Sequence, residues 1–346
     1  MEKEIMCIAA KRSSNLDKLK VLCAFFVVCI HAPFPGTFGE YFIALTRIAV
    51  PIFFMISGYF YRFEKTKQQI IKILKLILVS NVLYFLLKAI LTALKGEFLL
   101  FLHETMTVKN FVTFILFNDN SLRSHLWYLN AILYVLAIVA LAYKWNLKKA
   151  LYLITPVLLA LDLVLGKYAL CIFHREFPYI LVRNWLFVGI PYFTIGLWIK
   201  EHWEIINERL KLHGQPKVSA MILLFGITTF LERYLLVRNG LNTARDHYLS
   251  TTFLAVAVFL FFLKYVSPEE NAIARIGRND STYIYVFHPI VITIVKAVAS
   301  KIAIAERLYT LASPFIIFLL TLFLIKTVTW VINKQKNKMT REKQAL

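Results

Sequence analysis

The feature that most constrains this chain is the recurrence of apolar runs long enough to cross a bilayer. A hydrocarbon core of roughly 30 Å takes about 20 mostly apolar residues per helix. Ten candidate stretches run over 16–35, 41–61, 70–94, 126–143, 150–166, 184–199, 218–237, 247–265, 281–300 and 309–332. The fifth is the least regular, with Pro156, Asp162 and Gly166. A water-soluble globule of 346 residues has nowhere to hide so many apolar helices, and only 17% of the residues are charged, against about 25% in ordinary soluble domains. The expected fold is all-α, a polytopic membrane helix bundle of about ten transmembrane helices. A short tail over 1–15 precedes one membrane domain over 16–332, and a basic tail over 333–346 follows it.

The net charge of +20 would suit nucleic acid if it were gathered on one surface. Instead Lys and Arg recur in short clusters between the apolar runs, which is the pattern of membrane topology. With both termini cytoplasmic, the inner segments hold 25 Lys and Arg and the outer segments 11, with Arg47, Lys88, Lys296 and Lys326 inside the runs. That asymmetry predicts cytoplasmic termini by the positive-inside rule and argues against a nucleic-acid partner. The outer connection around 98–117 mixes apolar and polar residues, as an interfacial helix would. Trp127, Trp145, Trp185, Trp198 and Trp330 sit near the ends of runs, where an aromatic belt is expected. Glu2, Lys3 and Glu4 precede the first run and no small-residue cleavage site follows it, so a retained helix is expected rather than a signal peptide. Cys7, Cys23, Cys29 and Cys171 lack metal-ligand spacing and read as apolar fillers or free thiols.

Titratable groups inside apolar runs are costly and call for a reason. Lys20 and His31 are eleven residues apart, three helical turns plus about 20°, so they share one side of a helix at roughly 16 Å separation. Lys20 either snorkels to the inner interface or holds an anion there. His31 is either a hydrogen-bonded core histidine or a base. Arg47, on the next run and at a similar depth, either orients a neutral His31 or pairs structurally with Glu232. His288 precedes Pro289, and a proline there frees a backbone carbonyl and marks a kink near a cavity. No nucleophile elbow, phosphate loop, zinc-protease helix or dinucleotide fingerprint is present, and no metal site is expected.

Four blocks stand in order along the chain: 15–20 leading to His31, Arg47 with 50–59, 125–129 and 281–289. Together they resemble the acyltransferase 3 family of integral membrane O-acyltransferases. Asn15-Leu16-Asp17-Lys18-Leu19-Lys20 leads to His31 and is similar to the family's first helix, where a basic residue, usually Arg, precedes a histidine. Arg47 followed by Val50-Pro51-Ile52-Phe53-Phe54-Met55-Ile56-Ser57-Gly58-Tyr59 resembles its second helix. His125-Leu126-Trp127-Tyr128-Leu129 resembles its Trp-Tyr block. Ser281-Thr282-Tyr283-Ile284-Tyr285-Val286-Phe287-His288-Pro289 resembles a late helix with Tyr and His-Pro. The nearest branch is the fucose 4-O-acetylase-like, polysaccharide-modifying one.

The resemblance implies an O-acetyltransferase of a bacterial plasma (inner) membrane, with acetyl-CoA or another acyl-CoA as co-substrate and no permanently bound cofactor. The acceptor would be a hydroxyl of a cell-surface or lipid-linked carbohydrate. His31 and Arg47 are expected to be catalytic, while Lys20, Lys72, Lys75, Arg275 and Arg278 would hold the acyl-CoA phosphates. His125, Trp127, Glu232, Tyr283 and His288 would shape the acceptor pocket. No hydrolase-like domain follows the last run, so transfer is expected to finish within the membrane domain. An exporter of a sugar or glycan precursor is the alternative class, and the residues leave a homo-oligomer open.

Overall fold

A computed structural model describes residues 13–345, and among them the regular structure is helical throughout. The α-helices are α1 Ser14–His31, α2 Gly36–Thr46, α3 Ala49–Tyr59, α4 Thr66–Ala93, α5 Phe98–Thr105, α6 Val108–Phe117, α7 Trp127–Lys144, α8 Lys148–Leu165 and α9 Ala169–Phe173. They continue with α10 Ile190–Glu201, α11 Trp203–Arg238, α12 Leu249–Tyr265, α13 Ala272–Asn279, α14 Ser281–Ala299 and α15 Ala303–Ala345. The expected N-terminal tail lies, up to residue 12, outside the described residues.

Each of the ten expected runs is helical over most of its length. Among the described residues six helices are long and apolar enough to cross a membrane, or seven if the α5–α6 pair, bent by 49°, is one span. The others fall short for identifiable reasons. Helix α1 carries Asp17, Lys18 and Lys20, and α8 carries Lys148, Lys149 and Asp162. The sixth run is divided between a five-residue π-helix at Trp185–Gly189 and the 12 residues of α10, and α12 has 17 residues. The 98–117 stretch is two helices rather than one.

The chain forms two compact units, Val50–Tyr265 and Ser13–Ala49 together with the segment from Val266 on. In the first, α3 and α10 approach through glycines. A Cβ on Gly58 would stand 1.9 Å from the Phe193 carbonyl oxygen, and one on Gly196 would stand 2.0 Å from that of Met55. Small residues let helix backbones close to this range, where dispersion rather than water exclusion holds helices in lipid. Phe54, Met55, Phe193 and Phe259 fill the core beside them, all fully buried. Helix α4 exposes Leu78, Val82, Leu86 and Ile90 along its length, a surface suited to acyl chains.

In the second unit, α1 packs against α13 and α14, and α14 against α15. A Cβ on Gly277 would stand 1.7 Å from the Asp17 carbonyl oxygen, so only glycine lets α13 lie this close to α1. The second expected run is interrupted between α2 and α3 at Arg47 and Ile48. Pro51 is the cause: it has no N–H to offer the Arg47 carbonyl four residues back.

Candidate active site

Helix α1 stops at His31 because Pro33 and Pro35 follow and cannot continue its hydrogen-bond ladder. The Ala32 N–H closes the last turn on the Val28 carbonyl at 2.8 Å. Just beyond, the Ser313 hydroxyl donates to the Pro33 carbonyl at 2.7 Å, tying this corner to α15. Phe34 packs edge-on to Phe38, Phe42 and Phe315, with ring centroids 5.3 to 5.5 Å away. An aromatic wall thus fixes the backbone that presents His31.

His31 itself is exposed, and His288 lies behind it with no accessible surface. The two imidazole centroids are 5.1 Å apart with planes inclined by 41°. His288 Nδ1 is 3.0 Å from the Ile284 carbonyl oxygen. A carbonyl can only accept, so Nδ1 carries a proton and the ring is fixed in orientation. The pair therefore joins an accessible imidazole that can exchange a proton with solvent or substrate to a buried one held by its own helix. Arg47 is half-buried at the break between α2 and α3, in the same unit. Tyr283 is 44% exposed and stacks on Phe287 at 6.2 Å. Five residues before His288, it projects about 140° away from that ring around α14.

At the other end of α1 the organising residue is Asp17, which in the sequence stands out only as part of the first block. Its carboxylate is 2% exposed. It accepts from Lys20 Nζ at 2.8 Å through one oxygen and from Arg278 Nε at 3.0 Å through the other. Arg278 also donates to Glu270, which accepts from the Ser14 hydroxyl at 3.1 Å. Hydrogen bonding from Arg278 holds the Glu270 carboxyl below its usual range, and Glu270 in turn raises the guanidinium. Two of the expected phosphate-binding residues, Lys20 and Arg278, are thus brought together and braced on one buried carboxylate. Arg275, on the same short helix, is exposed.

The Val50–Tyr265 unit holds the remaining expected residues, each with local partners. Lys72 and Lys75 are exposed on α4. His125 is buried, its ring edge-on to Tyr84 at 5.4 Å. Trp127, also buried, lies 6.3 Å from the Phe54 ring, and the Arg183 guanidinium stands 5.7 Å over it. Glu232 accepts from the Tyr168 hydroxyl and from the N–H groups of Leu249 and Ser250 at 2.9 and 3.0 Å. Its carboxylate therefore caps the start of α12, where the helix dipole favours negative charge.

A second cluster in this unit joins residues that no local sequence pattern links. Asp162 Oδ2 and His247 Nδ1 are 2.7 Å apart, with both side chains at most 7% exposed. Lys167, 2% exposed, donates to the Thr243 carbonyl at 2.8 Å. Among the described residues no group of three or more His, Cys, Asp or Glu is arranged to hold a metal.

A family model described as an acyltransferase domain matches residues 13–334. The chain belongs to the acyltransferase 3 family. Its match takes in both ends of α1, the broken α2–α3 pair and α14, so the His31–His288 pair and the Asp17 brace lie within the acyltransferase 3 domain. An amino-acid racemase of Enterococcus faecalis is also similar, at 24% identity over 328 residues, covering 86% of this chain and 43% of the racemase. This acyltransferase 3 chain thus spans less than half the length of that curated relative. No solved structure matches.

Proposed function

We propose that this membrane acyltransferase is an O-acetyltransferase that moves an acetyl group from cytoplasmic acetyl-CoA to a hydroxyl of a cell-surface or lipid-linked carbohydrate. The observation that carries this reading is the His31–His288 pair, one imidazole exposed and one buried at 5.1 Å, in a chain whose family transfers acyl groups. The proposed topology has ten spans, cytoplasmic termini and an interfacial α5–α6 pair, in a bacterial plasma membrane. The excess of Lys and Arg on the inner segments supports it.

In this mechanism Lys20 and Arg278, held by Asp17, meet the phosphates of CoA with Arg275. Lys20 acts as a point charge where an arginine would give a planar fork. Lys72 and Lys75 are assigned the same role from α4. His31 takes the proton of the acceptor hydroxyl as its oxygen attacks the thioester carbonyl. The C–S bond then breaks, the acetyl ester is left on the sugar, and the His31 imidazolium returns its proton to the departing CoA thiolate. General-base help of this kind contributes roughly a hundredfold to ten-thousandfold in rate. Arg47 is the proposed stabiliser of the oxyanion, His288 supports His31, and His125, Trp127, Glu232 and Tyr283 are assigned to acceptor recognition.

The test is donor turnover in proteoliposomes with labelled acetyl-CoA on the cytoplasmic face and host surface glycans as acceptors. Label reaches glycan with wild type and not with His31→Ala. Equal labelling by the two proteins overturns the mechanism, and no labelling of a suitable acceptor by wild type makes export the reading.

A further inference from the structure

Within the Val50–Tyr265 unit, three segments far apart in sequence are bonded into one corner. They are 61–67 between α3 and α4, 143–149 between α7 and α8, and the end of α10 at Lys200 and Glu201. Lys200 Nζ donates to the Tyr61 carbonyl at 2.6 Å. The Tyr143 ring meets Tyr61 edge-on at 5.5 Å and stacks on Phe63 at 5.8 Å, with planes inclined by only 11°. Glu201 closes the corner: it accepts from Lys148 at 2.9 and 3.0 Å, from Tyr152 at 2.6 Å and from Tyr143 at 3.3 Å.

This corner gathers seven Lys and Arg against two acids, Glu64 and Glu201, and Glu201 is already engaged by Lys148 and two tyrosines. Among the described residues Arg62, Lys65, Lys67, Lys144, Lys149 and Lys200 form no ion pair with a carboxylate. Arg62 and Lys200 are half-buried, and the carbonyl that holds the Lys200 ammonium is the one joined to the Arg62 amide. Burial first, and then the Arg62 charge, lower the Lys200 pKa from its ordinary value, and Glu201 and Glu64 offset only part of this. An anion seated on these two cations would offset their repulsion. Apolar side chains stand beside the charges: Phe63, Trp145 and Leu147 are 42%, 60% and 52% exposed. Helix α4 starts and α7 ends at this corner, and both belong to apolar stretches of membrane length. A free phosphate would use the charges and leave the exposed rings in water. A phospholipid uses both, since its phosphate meets the cations while its acyl chains lie against the aromatic residues of the interface.

We propose that this corner binds the phosphate of an acidic phospholipid. Arg62 and Lys200 hold the phosphate, the exposed lysines of the first two segments draw it in, and Phe63 and Trp145 lie beside its acyl chains. The inference goes beyond the acetyl-transfer reading; only the choice of the inner leaflet rests on the topology proposed there.

The experiment is competition binding of radiolabelled phosphatidylglycerol to the full chain in a neutral detergent. Unlabelled phosphatidylglycerol is expected to displace the label at a concentration about tenfold or more below that needed of phosphatidylcholine with the same chains, since each cation near the headgroup adds severalfold. Inorganic phosphate and coenzyme A, at matched ionic strength, should leave the label bound. Arg62→Gln combined with Lys200→Gln should weaken phosphatidylglycerol binding by about tenfold or more. Lys95→Gln combined with Lys109→Gln removes the same charge at exposed lysines elsewhere in the unit and should bind as wild type does. Equal competition by the two lipids, displacement by phosphate or coenzyme A, wild-type binding by the Arg62 and Lys200 variant, or an equal loss in the Lys95 and Lys109 variant each overturns the proposal. If the Arg62 and Lys200 variant fails to fold, Lys144→Gln with Lys149→Gln decides it: these exposed lysines make no side-chain hydrogen bond among the described residues, a loss of about fivefold is expected, and unchanged binding overturns the proposal. No acyl transfer is read, so failure here is distinct from failure of the His31 turnover test.

Discussion

The two histidine sites differ in what each imidazole leans on. His31 is exposed and backed by a second imidazole, His288, whose Nδ1 is committed to a backbone carbonyl. His247 is buried and paired with a buried carboxylate, Asp162, at 2.7 Å. An exposed ring in contact with water can exchange a proton at small cost to the fold. A buried ring facing a buried acid makes its hydrogen bond part of the structure, because breaking it strands a charge or a donor in low dielectric. The first arrangement suits turnover and the second suits rigidity. Substitutions at the two sites should therefore separate activity from stability.

The largest effect is expected at the first site. His31→Ala should lower acyl transfer by roughly a hundredfold to ten-thousandfold while changing thermal stability in detergent little. A matched melting and turnover assay checks both halves. The second site should show the reverse: Asp162→Asn should cost about 3 kcal/mol, as breaking a buried pair does, read as a lower midpoint in denaturant titration. If His31→Ala proves the less stable protein, the contrast between the sites collapses.

Smaller effects sharpen the picture at the Asp17 end of α1. Gly277→Ala forces apart α1 and α13, since the new Cβ would sit 1.7 Å from the Asp17 carbonyl oxygen. A cost of roughly 1–3 kcal/mol is expected. Because Asp17 braces Lys20 and Arg278, the proposed donor-binding residues, KM for the proposed acyl donor should rise more than kcat falls, and steady-state kinetics at varied donor concentration would show the split. The smallest effect is pH-dependent. Glu270 has a folded carboxyl pKa below its ordinary value because Arg278 donates to it. The stability it contributes is present above the unfolded value of about 4.3 and is lost as pH falls through the lower folded value. Glu270→Gln should flatten the fall of the melting midpoint below about pH 4, and added salt should shrink the difference, since the pair is solvent-exposed.

The helices were legible because an apolar run of bilayer length has few other outcomes. Helix breaks were partly legible: Pro51 explains the interruption at Arg47, yet the apolar pattern runs through it unbroken. The pairing of His31 with His288 could not be read from spacing, since 257 positions separate them and helical periodicity reports only the face each occupies. Asp17 carried a local signal, standing three residues before Lys20 on one helix face, but its link to Arg278 depends on Gly277 letting two backbones close. Asp162 was visible only as an irregularity in the fifth run. Its partner His247 lies 85 residues away, and no local pattern joins them. Glu232, conspicuous as an acid in an apolar run, caps α12 through backbone N–H groups that a sequence does not display.

Helix α15 has a mechanical consequence. From Pro314, just past its kink at Ala312, to Ala345 it continues as a helix, and 32 residues at 1.5 Å each reach about 48 Å, well beyond a hydrocarbon core of roughly 30 Å. If the segment spans the bilayer, about 18 Å of it is in excess and is expected to stand clear of the acyl chains as a stiff post. A fluorescent reporter spliced onto that post would be held off the headgroups at a defined height, so energy transfer to a lipid-borne dye would report the tilt of this helix as a ruler does.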